Sequence, residues 1–293
     1  MRRSVIQSVL NIRFTLNAGL RYDQFYNRYN NKLATDETLP GAGIYKANAG
    51  TLSPKLNLYY QVHNGLQFYL TTGRGFHSND TRAVVVQNGY QVLPAAYGSD
   101  FGTIFKPARN LLINAAVWYI YLQQEFVYSG DGGDVEFSGK TKRFGVDFSA
   151  RYEPVKALYV DLDVNYAHGR SIDNLKGENY IPLAPIWTSS AGITYTAKNG
   201  FNGSLRYRFV GDRPGNEDYS LTAKGYFITD AVLHYTKQKY EVGLTINNIF
   251  NTKWKETQFA TLTRLKGEAA PVDGICFTPG TPLAARLSFG IRF

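Results

Sequence analysis

The chain is 293 residues long and carries 32 Lys and Arg against 23 Asp and Glu, a net charge of +9. Aromatic residues make up 15% of it, too many for an intrinsically disordered segment, while one cysteine (Cys276) and four histidines exclude a disulfide framework, a cysteine-rich zinc site and an iron–sulfur cluster. The longest apolar run, Ala115 to Leu122, is eight residues, far short of the ~20 that a membrane-spanning helix needs.

Met1-Arg2-Arg3 has the charge of a signal-peptide start, but Ser4 to Phe14 offers no continuous apolar core and no cleavage site. Either a different export route or a piece of something longer is therefore expected. From Ile12 onward the dominant pattern is period-2 alternation, the mark of strands with two unlike faces. Phe14, Leu16, Ala18, Leu20 and Tyr22 alternate with Thr15, Asn17, Gly19, Arg21 and Asp23. Shorter alternating runs follow at Lys55 to Val62 and Leu66 to Arg74, with less regular ones at Tyr97–Lys106 and Leu111–Leu122. The pattern is cleanest at Phe144, Val146, Phe148, Ala150, Tyr152 against Arg143, Gly145, Asp147, Ser149, Arg151. It recurs at Leu158, Val160, Leu162, Val164, Tyr166 against Tyr159, Asp161, Asp163, Asn165. Phe201 to Val210, a ragged Ala223–Tyr235 and Tyr240 to Asn247 complete about twelve strands, with a further one before Asn11. No window of comparable quality has the helical period. None of the 11 prolines is expected in the middle of a run, because each ladder needs its donors.

Connections alternate in length. Short turns are expected near Leu10–Ile12, His63–Gly65, Pro107–Asn110, Glu153–Ala157, Lys198–Gly200 and Lys237–Lys239. Long polar loops are expected at Asn27–Gly50, His77–Ala95, Ser129–Asp134, Gly169–Pro182, Gly211–Leu221 and Thr252–Thr281. Two architectures hold such strands: a soluble antiparallel sheet with one solvated face, and a transmembrane barrel with its apolar face in lipid. At roughly 24 residues per strand and connection, and with faces as charged as Arg143, Asp147, Arg151 and Asp161, Asp163, Asn165, the reading favours the barrel. The last run sets Leu283, Ala285, Leu287, Phe289, Ile291 and Phe293 against Ala284, Arg286, Ser288, Gly290 and Arg292. Phe289, Ile291 and the terminal Phe293 have the form of a barrel-assembly signal. With Phe293 at the periplasmic rim, every short turn counts as periplasmic and every long loop as extracellular. The fold expected is all-β: an antiparallel transmembrane β-barrel portion of about 12–13 strands.

At this point the sequence resembles the C-terminal barrel half of TonB-dependent outer-membrane receptors. The resemblance is carried by Gly19-Leu20-Arg21-Tyr22-Asp23, Leu52-Ser53-Pro54-Lys55, Gly73 to Asp80, Ile181-Pro182-Leu183-Ala184-Pro185, Asn247 to Asn251 with Thr252-Lys253-Trp254, and the closing Phe-Gly-Ile-Arg-Phe. It implies a closed barrel of about 22 strands around an N-terminal plug, which this chain, with about thirteen strands, does not contain. Residues 1–293 are accordingly expected to be the C-terminal portion of such a barrel, truncated at the N-terminus, since a half-sheet leaves two unsatisfied edges in lipid. The family implies energised uptake of a scarce, bulky ligand: ferric siderophore, haem, cobalamin or oligosaccharide. Its implied setting is the bacterial outer membrane, with lipid, lipopolysaccharide, the barrel-assembly machinery, TonB (through the plug) and a small-molecule ligand as partners. A passive porin-like or adhesin barrel is the first alternative, and a soluble all-β binding module the second.

Candidate residues follow from position. His77, Asn79, Asp80 and Arg82 crowd six residues of a long loop and are the expected ligand contacts. Arg143, Asp147, Arg151, Asp161, Asp163, Arg206 and Arg208 share polar strand faces and are expected to form a lumen wall. Asp161 and Asp163 also have the i, i+2 spacing of a metal or acid–base pair, but neighbours of both signs favour the wall. Tyr26, Tyr29, Tyr166, Tyr207 and Phe209 are placed at an outer aromatic girdle. Lys253, Lys255, Arg264 and Lys266 lie among Trp254, Phe259 and Phe277, yet are too dispersed for a nucleic-acid surface. No cofactor, no metal and no nucleic acid are expected, and the absence of G-x-S-x-G, H-E-x-x-H, P-loop and G-x-G-x-x-G patterns argues against an enzyme.

Overall fold

A computed structural model describes residues 2–11, 13–32, 41–77, 92–124, 126–128, 135–137 and 139–292. All regular structure among them is strand. Thirteen strands form one continuous antiparallel sheet: β1 (Arg2–Asn11), β2 (Phe14–Asn31), β3 (Gly43–His63), β4 (Leu66–Phe76), β5 (Ala95–Ala108), β6 (Leu111–Leu122), β9 (Thr141–Val155), β10 (Leu158–Ser171), β11 (Trp187–Thr196), β12 (Phe201–Val210), β15 (Tyr226–Thr236), β16 (Tyr240–Asn247) and β19 (Ala284–Ile291). Three two-stranded ribbons stand in the long connections: β7 (Phe126–Tyr128) with β8 (Val135–Phe137), β13 (Arg213–Pro214) with β14 (Thr222–Ala223), and β17 (Lys255–Thr263) with β18 (Val272–Pro279). Every sheet strand pairs with its sequence neighbours in the sheet, and among the described residues β1 and β19 are the two edges.

The alternation of short and long connections holds, but two of the long ones are more ordered than their sequences indicate. The stretch from Asn27 to Gly50, expected as a loop, is largely ladder: β2 continues to Asn31 and pairs there with Gly43 of β3. At 18 and 21 residues these strands exceed the 9–11 that cross a bilayer, so the hairpin projects well beyond it. Likewise most of the expected loop Thr252–Thr281 is the β17–β18 ribbon. Pro54 lies inside β3, contrary to the rule that prolines avoid the runs. It is tolerated because β3 pairs with β4 only from Lys55 onward, so the missing N–H falls where that neighbour has left.

The sheet is a single layer. The whole chain exposes 19036 Å², against roughly 12,500 Å² for a compact soluble protein of this mass. Among the described residues only Ala47, Val92, Ala95, Ile181, Ala223 and Ile228 are buried apolar side chains, while large apolar ones are exposed along almost every strand. The exposed face has an internal order. Phe14 and Tyr22 (β2), Phe144 and Tyr152 (β9), Trp187 and Tyr195 (β11), Phe201 and Phe209 (β12), and Phe227 and Tyr235 (β15) are each eight residues apart. An even spacing keeps both rings on one face, and eight residues at ~3.3 Å span ~26 Å of strand. Five strands thus carry two aromatic bands, one near each end, with aliphatic residues such as Val146, Ile193, Leu205 and Leu233 between them. This is the apolar belt and double girdle of a membrane barrel.

Candidate functional site

The opposite face of β9 to β15 is polar, and its charges meet in pairs. Backbone register sets Arg151 beside Asp161, Asp161 beside Gly192, Gly192 beside Arg206, and Arg206 beside Asp230. The side chains then reach past their direct neighbours. Arg206 crosses β11 and binds both carboxylate oxygens of Asp161 at 2.9 and 2.6 Å. It does so because residue 192 is glycine: a Cβ there would come within 2.6 Å of the Arg206 Nη1. Arg151 binds both oxygens of Asp163 at 2.8 and 3.0 Å, and Arg208 binds Asp230 at 3.2 Å. The other Asp230 oxygen accepts the Asn248 backbone N–H at 2.8 Å, and Asn165 donates to Asp147 at 2.9 Å. Bidentate Arg–carboxylate pairs fix geometry better than point charges do. With the arginines about half-exposed, each pair stabilises only modestly. A groove of about 480 Å³ runs along this patch towards the short turns, bordered by Arg151, Asp161, Asp163, Arg206, Lys106 and Arg109.

Above the patch, three long connections brace one another. The Tyr180 N–H donates to the Glu217 carbonyl at 3.0 Å and the Leu183 N–H to the Pro214 carbonyl at 2.7 Å. The Arg170 guanidinium stacks 4.0 Å over the Tyr180 ring, which meets Tyr219 at 5.2 Å. Gln258, buried on β17, accepts from the Lys224 N–H and donates back to the Lys224 carbonyl at 2.9 and 2.8 Å. Tyr226 packs on Trp254 at 4.8 Å, and Lys255 lies 4.0 Å over Phe277. The base of the longest connection is closed by buried Asn248, whose amide donates to the Thr252 and Thr281 carbonyls at 2.8 and 3.1 Å and accepts from the Thr252 N–H at 2.9 Å. Its φ of 51° is one that asparagine tolerates better than most residues. Between β12 and β15, the Gly225 N–H and then the Lys224 ammonium hold the Asp212 carboxyl below the ordinary carboxylate range. The Ser220 N–H and hydroxyl do the same for Asp218.

The expected site residues separate into two groups. Asp147, Arg151, Asp161, Asp163, Arg206 and Arg208 come together in the paired patch. Arg143 lies on the same face nearer the long loops, its side chain against Gly169. His77 is exposed at the end of β4, its N–H donating to the Pro94 carbonyl at 3.1 Å; Asn79, Asp80 and Arg82 lie outside the described residues. Phe289 and Ile291 are exposed on β19, paired with Val242 and Tyr240, and Phe293 lies outside the described residues. Tyr166, Tyr207 and Phe209 sit at the long-loop band as expected, with Tyr166 against Trp187 and Tyr207 stacked on Phe227. Tyr29 does not: its odd position puts it on the other face, against the small cluster of Ala47 and Val92. Asp230, Gly192, Asn248 and Gln258 were not singled out from the sequence. Only Asn248 carried a signal there, as part of the Asn-Asn-Ile-Phe-Asn run.

The TonB-dependent receptor-like β-barrel family matches residues 7–249. Solved structures share the fold at low identity. The ferric yersiniabactin uptake receptor FyuA from Yersinia pestis superposes with a TM-score of 0.75 and 16% identity over 99% of this chain and 45% of its own. The copper transporter OprC gives 0.74 and 14%, over 98% of this chain and 48% of its own. The ferric citrate transporter FecA gives 0.73 and 16%, over 94% and 42%. The chain therefore spans less than half the length of these structures. No curated protein matches the sequence.

Proposed function

The chain belongs to the TonB-dependent receptor-like β-barrel family, and from that premise we propose that it is the C-terminal barrel portion of an outer-membrane receptor for TonB-driven uptake of a scarce metal chelate. The observation that carries the reading is the contrast between faces: an apolar face with two aromatic bands eight residues apart, and a polar face whose charges are cross-linked by arginine. The first suits lipid and the second a filled lumen. In this reading Arg143, Asp147, Arg151, Asp161, Asp163, Arg206 and Arg208 form the wall against which a plug packs. The braced long loops, with Arg170, Tyr180, Tyr219 and Lys255, form the outer mouth, joined there by His77, Asn79, Asp80 and Arg82. Half-buried cations over aromatic rings, Arg170 on Tyr180 and Lys255 on Phe277, favour an anionic, partly aromatic ligand, and ferric chelates have that chemistry. Phe289, Ile291 and Phe293 serve assembly, and TonB acts through the plug.

The test is uptake by the host. Deleting the encoding locus should abolish TonB-dependent accumulation of at least one radio-iron chelate in iron-starved cells and leave TonB-independent solutes unaffected. Unchanged uptake across ferric catecholates, ferric hydroxamates, ferric citrate and haem would sink the metal-chelate reading. Loss of small-solute permeability alone would favour a passive channel.

A further inference from the structure

The short turns carry a second pattern. Arg13 lies in the first turn, Lys106 and Arg109 flank the third, Lys156 is in the fourth, Lys198 in the fifth, and Lys237 and Lys239 in the sixth; all are exposed. The two carboxylates nearest this end are engaged: Glu153 accepts the Ala157 N–H at 3.3 Å, and Glu241 faces Arg292 and His234 at 3.4 and 3.3 Å. The described long connections are mixed instead. Asp173, Lys176 and Glu178 share one, and Asp212, Arg213, Glu217, Asp218 and Lys224 share the next.

The cations are also placed against the aromatic band. Lys198 stands between Tyr195 and Phe201, each about half-exposed. The Lys237 ammonium lies 6.0 Å from the Tyr235 ring centroid, and that ring touches Phe201 at 4.8 Å and Tyr240 at 6.5 Å. Arg13 precedes Phe14, which stacks on Tyr60 at 4.5 Å. An ammonium one to three residues beyond an exposed ring sits ~3–10 Å further out along the strand. That is the offset between the acyl boundary, where aromatic rings lie, and the phosphates.

We propose that the short-turn rim is a binding surface for anionic phospholipid headgroups, their phosphates held by Lys198, Lys237 and Lys239 over the Phe201–Tyr235–Tyr240 ring cluster. A soluble acidic protein would be met by the charges but would leave those rings in water; a lipid surface satisfies both. The inference rests on the membrane-barrel reading, so the experiment separates the two.

The whole receptor that contains this chain is reconstituted in phosphatidylcholine vesicles containing a small fraction of spin-labelled phosphatidylglycerol or spin-labelled phosphatidylcholine, and the motionally restricted fraction of each label is measured. The expected result is an association preference for the anionic label of about threefold or more, falling towards one in K198Q/K237Q/K239Q and in high salt. K253Q/K266Q, on the long-loop side, keeps it. Equal association of the two labels with inserted wild-type chain overturns the proposal and leaves the barrel reading standing. So does a preference erased by inorganic phosphate at constant ionic strength, which would assign the cations to free phosphate, or one lost in K253Q/K266Q and kept in the triple variant. Failure to insert in any vesicle overturns both.

Discussion

At one end of the strands the chain reverses within a few residues, as at Asn64–Gly65, Arg109–Asn110 and Lys156–Ala157; at the other it travels through residues 172–186, 211–225 and 248–283 before returning. The short turns are shaped by local rules. Residues 197–200, for example, close with Gly200 at φ 97°, where a Cβ would strike the Thr236 carbonyl. The long connections are shaped by a few buried polar hubs: Asn248 at the base of one, Gln258 between two. The same strands therefore end in one rim whose geometry is local and another whose geometry is tertiary. Substitutions at the second should disorder a whole connection, and at the first should change little beyond the residue's own contact with its surroundings.

The largest effect is expected where a hub is removed. Asn248→Ala deletes both side-chain donations across the loop base and puts alanine at a positive φ, costing about 2–4 kcal/mol. Limited proteolysis should then cut within residues 253–283 while the sheet stays protected. If cleavage were unchanged, the loop base would not depend on this residue. Next comes the polar face that joins the two rims. Gly192→Val blocks the path of Arg206 to Asp161, and Asp161→Asn removes the charge; each should lower the stability read from urea unfolding by about 1 kcal/mol. The double variant should cost no more than the worse single one, because both break one interaction. Full additivity would contradict the cross-strand link.

At the short-turn rim, Tyr195→Ala is expected to cost about 0.5–1.5 kcal/mol in bilayers and to leave long-loop proteolysis unchanged. An effect on the loops would break the distinction between the rims. The smallest effect concerns acid. Because the folded Asp212 carboxyl is held below its unfolded value, its stabilising contribution is complete above the ordinary carboxylate range and is lost as pH falls through the lowered value. Amide exchange around Gly225 should accelerate at low pH in the wild type relative to the trend set by Asp212→Asn, only slightly, since the group is largely exposed. A matching pH trend in Asp212→Asn would remove this carboxyl from the account.

Much of the sheet was legible because β9 alternates Phe144, Val146, Phe148, Ala150 and Tyr152 with Arg143, Gly145, Asp147, Ser149 and Arg151, and β10 sets its apolar run from Leu158 to Tyr166 against Asp161, Asp163 and Asn165. It was least legible where both faces meet protein or water. Tyr29 and Tyr45 of the projecting hairpin turn towards Ala47 and Val92, so residues 27–50 lose the lipid-facing signal and read as loop. In β5, Gly102 lies under the Tyr69 ring and breaks the pattern with a residue chosen for absent bulk. Asp161 and Asp163 were legible as a polar wall, but their partners were not. Arg206 lies 45 residues from Asp161, a strand apart, and is joined to it only through the space Gly192 leaves. The loop hubs were hidden for a similar reason: a buried glutamine such as Gln258 has no local signature.

The claim that the two rims face opposite sides of a membrane can be tested with the chain's one cysteine. Cys276 is exposed on β18, in the longest connection. A membrane-impermeant maleimide applied to intact cells should label wild-type Cys276, whereas Gln238→Cys in a Cys276→Ser background, at the sixth short turn, should label only after the outer membrane is permeabilised. Labelling of position 238 on intact cells, or protection of Cys276 until permeabilisation, would contradict the assignment of the rims and with it the receptor reading.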